Sequence, residues 1–146
     1  MKVLVIGSGA REHALIDALL RDSDVSVECA PGNAGIAAQV AVHAVTTTDP
    51  ADVLRVAKKV TAELVVIGPE APLVAGVADR LRAEGFAVFG PSAAAAQLEG
   101  SKAFAKDVMY AAGVPTAGAR VCRSVEEAEV ALDEFGAPHE IGRAHV

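Results

Sequence analysis

The sequence predicts an α/β fold, a Rossmann-like doubly wound parallel sheet, and three observations support this. Apolar runs rich in β-branched residues at 3–6 and 64–67 are typical of strands that are buried on both faces of a parallel sheet. Segments with the apolar spacing of helices lie between such runs, so strands alternate with helices up to about residue 91. The first strand ends in Gly7-Ser8-Gly9, which allows a tight turn into a helix. Right-handed crossovers then bring the carboxyl ends of the strands to one edge of the sheet.

Local signals set the limits of each element. Asp49 is expected to cap a helix that has Pro50 at its first position, and Ser124 opens another helix with a capping-box pattern. Gly85 and Gly113 are expected to end two other helices. The predicted strands are 3–6, 25–29, 40–42, 64–67 and 86–89, with a further candidate at 117–121. The predicted helices are 10–20, 50–60, 73–83, 92–98, 101–112 and 124–135. The loops that close three of the strands combine Pro and Gly, and they are 30–35, 68–73 and 90–92.

Composition narrows the classes of function. A hydrophobic content of 52% with 22% charged residues supports a real core and excludes wholesale disorder. The net charge of −6 and the aromatic content of 3% argue against a nucleic-acid partner. No apolar stretch is long enough to span a membrane, and the N-terminal residues lack the pattern of a signal peptide. No membrane partner is therefore expected. Cys29 and Cys122 are interpreted as reduced thiols, and a cytoplasmic location is expected.

The turn after the first strand is suited to an anion. Gly7 and Gly9 let the backbone turn tightly, and the helix that starts at Ala10 directs its free N–H groups and positive dipole end at this space. Arg11 adds a fixed positive charge beside these amides. Position 12 is Glu12, where the dinucleotide-binding fingerprint has its third glycine, so an anion-binding turn is favoured over an NAD site. A turn that only packs the helix on the strand is the remaining alternative.

Neighbouring polar groups have simpler interpretations as well. Arg11, Glu12 and His13 together could form a solvated first helical turn, and His13 is expected to pack rather than to catalyse. Glu28 is a candidate for the acidic ribose ligand of a dinucleotide site, but it lies inside its predicted strand rather than at the end.

Three loops are expected at the same edge of the sheet as the first turn. Ordinary turns would explain each loop alone, whereas all three beside the first turn favour a binding cleft. Glu70 is the acidic group among them and suits a substrate hydroxyl or amine. The candidate binding residues in two of these loops are Gly32, Asn33, Pro69, Glu70, Ala71 and Pro72.

A second candidate for anion binding is Lys102. It lies at the predicted N-terminus of a helix, where the dipole disfavours a lysine, and a bound nucleotide phosphate would remove that conflict. The alternative is a solvated lysine. The spacing of a P-loop is absent.

Five motifs together resemble a known family. They are 3–15, 30–35, 68–73, 89–91 and 97–104, and in this order they resemble the opening of the phosphoribosylamine–glycine ligases, the glycinamide ribonucleotide synthetases of purine biosynthesis. The resemblance covers residues 1 to about 138. It implies an ATP-grasp enzyme whose Rossmann-like N-terminal domain precedes the ATP-grasp domain.

The resemblance also implies a reaction. ATP, with Mg²⁺ or Mn²⁺, phosphorylates the carboxylate of glycine, and the amine of 5-phosphoribosylamine attacks the acyl phosphate. Glycinamide ribonucleotide, ADP and phosphate are the products. By this analogy the turn from Gly7 to Arg11 and the 68–73 loop line the phosphoribosylamine side, and Lys102 lies near the nucleotide phosphates.

Two departures from the family pattern affect these expectations. Ala10 stands where the family usually has a further glycine, and after 135–138 the family continues into a lysine-bearing strand and a glycine-rich nucleotide loop. We therefore expect a substrate-binding domain at 1–100, a truncated start of an ATP-grasp domain at 101–139 and a non-native tail at 140–146. No catalytic or metal-binding residue is assigned, and the chain is expected to be inactive alone.

Two other functions stay open from the sequence. One is the leading domain of another ATP-grasp ligase, such as a biotin carboxylase-like enzyme, although Glu12-His13 and the 69–72 loop favour the first interpretation. The other is a non-catalytic Rossmann-like domain that binds a nucleotide or a sugar phosphate.

Overall fold

The computed structural model describes residues 1–142, and within them one sheet of five parallel strands confirms the predicted fold class. The order across the sheet is β3-β2-β1-β4-β5. The chain therefore leaves β1 toward one side and returns at β4 on the other, which makes the carboxyl ends of these two strands a topological switch point. The strands are β1 (Lys2–Gly7), β2 (Ser26–Pro31), β3 (Ala41–Val42), β4 (Leu64–Ile67) and β5 (Ala87–Phe89).

Two helices begin at the capping residues that the sequence predicts. The side chain of Asp49 accepts the N–H of Ala51 at 2.9 Å, and that of Ser124 accepts the N–H of Glu127 at 3.2 Å. The helices of the described residues are α1 (Ala10–Leu19), α2 (Ala34–Ala37), α3 (Pro50–Lys59), α4 (Glu70–Val74), α5 (Val77–Ala83), α6 (Ala93–Gly100), α7 (Lys102–Ala111) and α8 (Val125–Phe135).

The segment after β4 departs from the prediction. α4 begins within the expected 68–73 loop, and the single helix expected at 73–83 is divided. Pro72 lies in the first turn of α4, where a proline is tolerated because its nitrogen needs no acceptor there. Gly76, with φ of +83°, adopts the left-handed conformation and separates α4 from α5.

Two further predictions need correction. β2 continues to Pro31, because the ladder with β1 extends to the pair Gly7 and Pro31, and α2 occupies part of the expected 30–35 loop. The candidate strand at 117–121 is not formed, since these residues are irregular. Residues 97–142 contain no strand with which such a segment could pair, and an isolated strand is not stable.

The two faces of the sheet carry separate hydrophobic clusters. Leu4 and Ile6 point to one face, where they pack with side chains from β4, α3 and α5. Val3 and Val5 point to the other, where they pack with side chains from α1, β2 and α2. All four are fully buried, which explains why β1 is a continuous apolar run rather than an alternating one.

The chain divides into two compact units, Met1–Ala96 and Gln97–Val146. The whole sheet lies in the first unit, and among the described residues Ala131 is the buried hydrophobic side chain that lies beyond Ala96. The division into a substrate-binding domain at 1–100 and a truncated start of an ATP-grasp domain at 101–139 stays a prediction. The last four residues of the tail expected at 140–146 lie outside the described residues.

Within residues 1–142, no helix has both the length and the apolar character that crossing a membrane requires. Both cysteines are free, with Cys29 buried and Cys122 half-buried.

Candidate functional site

The turn after β1 lies at the switch point of the sheet. Gly7 ends the strand with φ of +136°, a conformation that favours glycine, and Gly9 precedes the first residue of α1. Helix geometry leaves the N–H groups of Ala10 and Arg11 without an intrahelical acceptor. These two exposed residues therefore present donors at the carboxyl edge of β1.

Glu12 fills the space beneath this turn. Its side chain is buried, with 4% of its surface exposed, and Oε2 accepts the N–H of Gly9 at 2.6 Å. A Cβ at Gly7 would lie 2.6 Å from Glu12 Cγ, and one at Gly68 would collide with Oε1. The solvated first turn considered from the sequence is therefore wrong for Glu12. The carboxylate occupies the place that a third glycine would leave open, and it takes one of the amides of the turn.

Arg11 connects the turn to the next strand. Its guanidinium is exposed, and Nη1 donates a hydrogen bond to the carbonyl oxygen of Gly68 at 2.7 Å. The guanidinium has five N–H donors in all, so this bond leaves others for an anion. We call Arg11, Glu12 and Gly68 the switch-point contact, because they join the carboxyl ends of β1 and β4.

The loop after β2 is joined to the same turn. Asn33 donates from Nδ2 to the carbonyl oxygen of Ser8 at 2.8 Å, while its Oδ1 accepts the N–H of Ile36 at 3.0 Å. The N–H of Gly32 donates to the carbonyl oxygen of Gly7 at 3.1 Å. Gly32 has φ of +72°, so glycine is favoured there. Both polar groups of Asn33 thus have partners in the chain, and its predicted role toward a substrate stays a prediction.

His13 packs against the helix after this loop. A Cβ at Gly35 would lie 2.8 Å from the Cε1 atom of His13, so the ring needs a glycine opposite it. Nε2 of the ring is buried and has no hydrogen-bond partner in the described part of the chain.

The loop after β4 presents Glu70 at this edge. Pro69 precedes α4 in an extended conformation, and Glu70 is the first residue of the helix and exposed, as is Ala71. Pro72 is fully buried, so its side chain packs in the core and presents no surface to a ligand. The carboxylate of Glu70 is the polar side chain that this loop offers.

The loop after β5 is held by two residues that sequence reasoning missed. The guanidinium of Arg82 donates to the carbonyl oxygen of Gly90 and, at 3.3 Å, to that of Val88. Asp79 accepts the N–H of Ala93 at 2.8 Å and so caps the start of α6. Both residues lie on α5, and their spacing of three on an exposed helix face was the available signal.

Lys102, in the second unit, is the first residue of α7 as expected, and its Nζ atom lies 2.9 Å from Oε1 of Glu140. The ammonium group holds the pKa of Glu140 below its usual range. The carboxylate is thus the anion at this lysine, and contact with a nucleotide phosphate stays a prediction. Residues 1–142 bring together no group of three or more His, Cys, Asp or Glu side chains that could hold a metal ion.

Glu28 is not at the carboxyl edge. Its carboxylate lies 2.8 Å from Nζ of Lys2 and 2.5 Å from Nε2 of His43. The hydrogen bond from Lys2 is the main reason that the pKa of Glu28 is lowered. This cluster belongs to the pairing of β1 with β2 and is no ribose ligand.

Residues 1–99 match the family described as phosphoribosylglycinamide synthetase, N domain. The chain belongs to this family. A curated relative, the phosphoribosylamine–glycine ligase of Streptomyces coelicolor, is 61% identical over 140 residues, which cover 95% of this chain and 34% of the relative. The corresponding protein of Leifsonia xyli is 60% identical over 141 residues, with the same coverage. The chain thus corresponds to the N-terminal part of such ligases and spans about one third of their length.

Solved structures show the same fold. The phosphoribosylamine–glycine ligase of Thermotoga maritima has a TM-score of 0.65 with 30% identity, covering 93% of this chain and 31% of that one. The biotin carboxylase domain of the 2-oxoglutarate carboxylase of Hydrogenobacter thermophilus, solved with MgADP and bicarbonate, has a TM-score of 0.66 with 25% identity. That match covers 94% of this chain and 33% of that domain.

Proposed function

We propose that this chain supplies the phosphoribosylamine-binding part of a ligase that joins glycine to 5-phosphoribosylamine at the expense of ATP. The observation that carries the proposal is the switch-point contact. Its hydrogen bond of 2.7 Å between Arg11 and Gly68 unites the two loops that, by the family resemblance, line the phosphoribosylamine side. Family membership over residues 1–99 supports the same substrate.

The chemistry of this edge fits a sugar phosphate that carries an amine. The amides of Ala10 and Arg11 and the remaining guanidinium donors suit phosphate oxygens, because charge-assisted hydrogen bonds are strong and the helix N-terminus favours negative charge. The exposed carboxylate of Glu70 suits a ribose hydroxyl or the amine. Donors and an acceptor thus lie on neighbouring loops, as the two ends of such a ligand require.

Activation of glycine belongs to the whole ligase in this proposal. ATP converts the glycine carboxylate into an acyl phosphate, and attack by the amine then releases phosphate. The residues of this chain match about one third of the length of the curated relatives. Our proposal for this chain alone is therefore binding without turnover.

The binding proposal is tested by titrating the isotope-labelled chain in NMR. Glycinamide ribonucleotide and ribose 5-phosphate should shift the amide signals of 7–11 and 68–71, and they should raise the melting temperature more than NAD or ATP does. Arg11→Ala should weaken these effects by about tenfold in Kd, since it removes a hydrogen-bonding charge. Arg21→Ala, an exposed arginine near the other end of α1, is the matched control and should leave them unchanged.

The outcomes separate the alternatives. Stabilisation by NAD alone would favour a dinucleotide-binding domain over our proposal. Absence of any shift at the two loops with either phosphoribosyl compound would contradict it.

Turnover gives a second test. The purified 146-residue chain should release no phosphate from ATP in the presence of glycine and phosphoribosylamine. A chimera in which residues 1–139 replace the matching part of the Streptomyces coelicolor relative should release it, because the chimera contains the part of that ligase that these residues do not match. Release by the chain alone, or none by a folded chimera, would contradict the proposal.

A further inference from the structure

We propose that Glu12 is a positioning residue that fixes the location of Glu70 through Gly68, a role that rests on the proposed function at this edge of the sheet. Glu12 lies on α1, and Glu70 begins α4, which follows the end of β4 in the chain. The contacts below connect them.

The first step is the fit of Glu12 between two strand ends. Its side chain is 4% exposed, and it lies so close to Gly7 and Gly68 that a Cβ at either position would overlap it. At the same time Oε2 accepts the N–H of Gly9 at 2.6 Å. The carboxylate therefore contacts the turn after β1 and the end of β4 together, and both glycines provide the space for it.

The second step is the fixing of Gly68. Its N–H donates to the carbonyl oxygen of Ile6 at 3.1 Å, its own carbonyl accepts from Arg11 at 2.7 Å, and the side chain of Glu12 packs against its α-carbon. One of these contacts comes from Ile6 on β1, and the other two come from Arg11 and Glu12 on α1. Gly68 is therefore held in one place relative to β1.

The third step carries this position to Glu70. One residue separates Gly68 from Glu70, and that residue is Pro69, whose ring restricts φ, observed at −86°. On its other side α4 is anchored by Pro72 and Leu73, which are buried. The start of α4 thus has little freedom, and loss of the contact with Glu12 releases the end that bears Glu70.

Shape and hydrogen bonding, rather than charge, are what this role requires of position 12. Glu12→Gln keeps the length and an oxygen that accepts the N–H of Gly9, whereas Glu12→Asp is one methylene shorter and Glu12→Ala loses both contacts. We therefore expect Gln to retain most of the affinity for a sugar phosphate and Asp and Ala to lose it.

A double-mutant cycle on the 146-residue chain tests the inference, with Kd for glycinamide ribonucleotide measured by NMR titration. Glu12→Ala and Glu70→Ala should each raise Kd by about tenfold, the cost of losing one charged hydrogen bond. The double variant should bind the ribonucleotide with the same Kd as Glu70→Ala, because Glu12 acts through Glu70. Additive losses, or full affinity in Glu12→Ala beside a loss in Glu70→Ala, would overturn the inference.

Hydrogen exchange provides a readout that needs no ligand. Glu12→Ala and Glu12→Asp should speed exchange at the amides of Gly68 and Ala75, which bond to Ile6 and Ala71, and Glu12→Gln should not. The matched control is Asp49→Ala, which removes a carboxylate that accepts an N–H at the start of α3 and should leave both amides unchanged. If the wild-type chain does not bind the ribonucleotide, the proposed function fails, and exchange then decides the inference. Unchanged exchange in a folded Glu12→Asp would overturn it.

Discussion

Glu28 forms ion pairs with side chains of two neighbouring segments of the sheet. Glu28 on β2 lies between Lys2 on β1 and His43, which follows β3, with distances of 2.8 and 2.5 Å. The carboxylate is about one fifth exposed, so water screens the pair less than it would on an open surface. The ionised form of Glu28 is therefore favoured in the folded chain, and its pKa lies below the usual value.

The effect of removing the charge of Glu28 on the stability of the chain should depend on pH. Because the pKa of Glu28 is lowered from 4.5, its contribution to stability is present above about pH 4.5 and is lost as the pH falls through the lowered value. Glu28→Gln should reduce the free energy of unfolding by about 1 kcal/mol at pH 7. The difference from the wild type should shrink toward pH 3, as measured by urea unfolding.

Asp17→Asn, an exposed carboxylate on α1, is the control for this experiment and should show little change at either pH. A loss in Glu28→Gln that stays constant between pH 7 and pH 3 would show that packing, not charge, is responsible.

The site was predictable at the level of loops but not of side chains. Parallel strands and the Pro–Gly loops at their ends placed Arg11 and Glu70 at one edge. The burial of Glu12 could not be foreseen, because a position at a helix start normally faces solvent and the space it fills is created by Gly68, far along the chain. The two hydrogen bonds that Asn33 makes within the chain could not be foreseen either, and its assignment to a ligand stays a prediction.

At the scale of elements, signals carried by adjacent residues predicted the structure well. The limits of β4 were exact, and Asp49 and Ser124 cap the helices they were expected to cap. The errors concern elements that depend on distant partners or on one backbone conformation. The segment 117–121 has one strand-forming residue, Val121, and residues 97–142 contain no strand beside it. The division of 73–83 coincides with the left-handed conformation of Gly76.

Gly76 is therefore a test of that division. Its φ of +83° is unfavourable for an L side chain, while a Cβ there would meet no atom within 4 Å, so Gly76→Ala should act through backbone strain alone. We expect a loss of about 1 kcal/mol in the free energy of unfolding. Gly76→Asn, a residue that tolerates this conformation better, should cost less. Equal stability of Gly76→Ala and wild type in chemical denaturation would contradict this explanation of the break.

For the whole molecule, the distribution of the core decides which part can fold alone. Both hydrophobic clusters lie within Met1–Ala96, whereas α7 has no buried side chain and α8 has Ala131. Burial of apolar surface is the dominant favourable contribution to folding. The first unit therefore contains nearly all of the stabilising interior of the described residues.

A shortened chain of residues 1–96 should fold cooperatively, with a melting temperature close to that of the 146-residue chain, because it keeps both clusters. Residues 97–142 alone should show no cooperative transition. Circular dichroism during heating measures both. Loss of the transition in the 1–96 chain would contradict the assignment of the core to the first unit.

The two thiols differ in a way that has a practical consequence. Cys29 lies beneath the β1 turn with Sγ 3.4 Å from the carbonyl oxygen of Gly7, and burial raises its pKa to about 11, whereas Cys122 is half-buried in the second unit. Thiolates are the reactive form, so a maleimide dye at neutral pH should label Cys122 of the native chain and spare Cys29. The wild-type chain can thus be labelled with a single fluorophore, at Cys122, outside the sheet. Changes in the emission of this fluorophore on addition of ligands would report on the surroundings of Cys122.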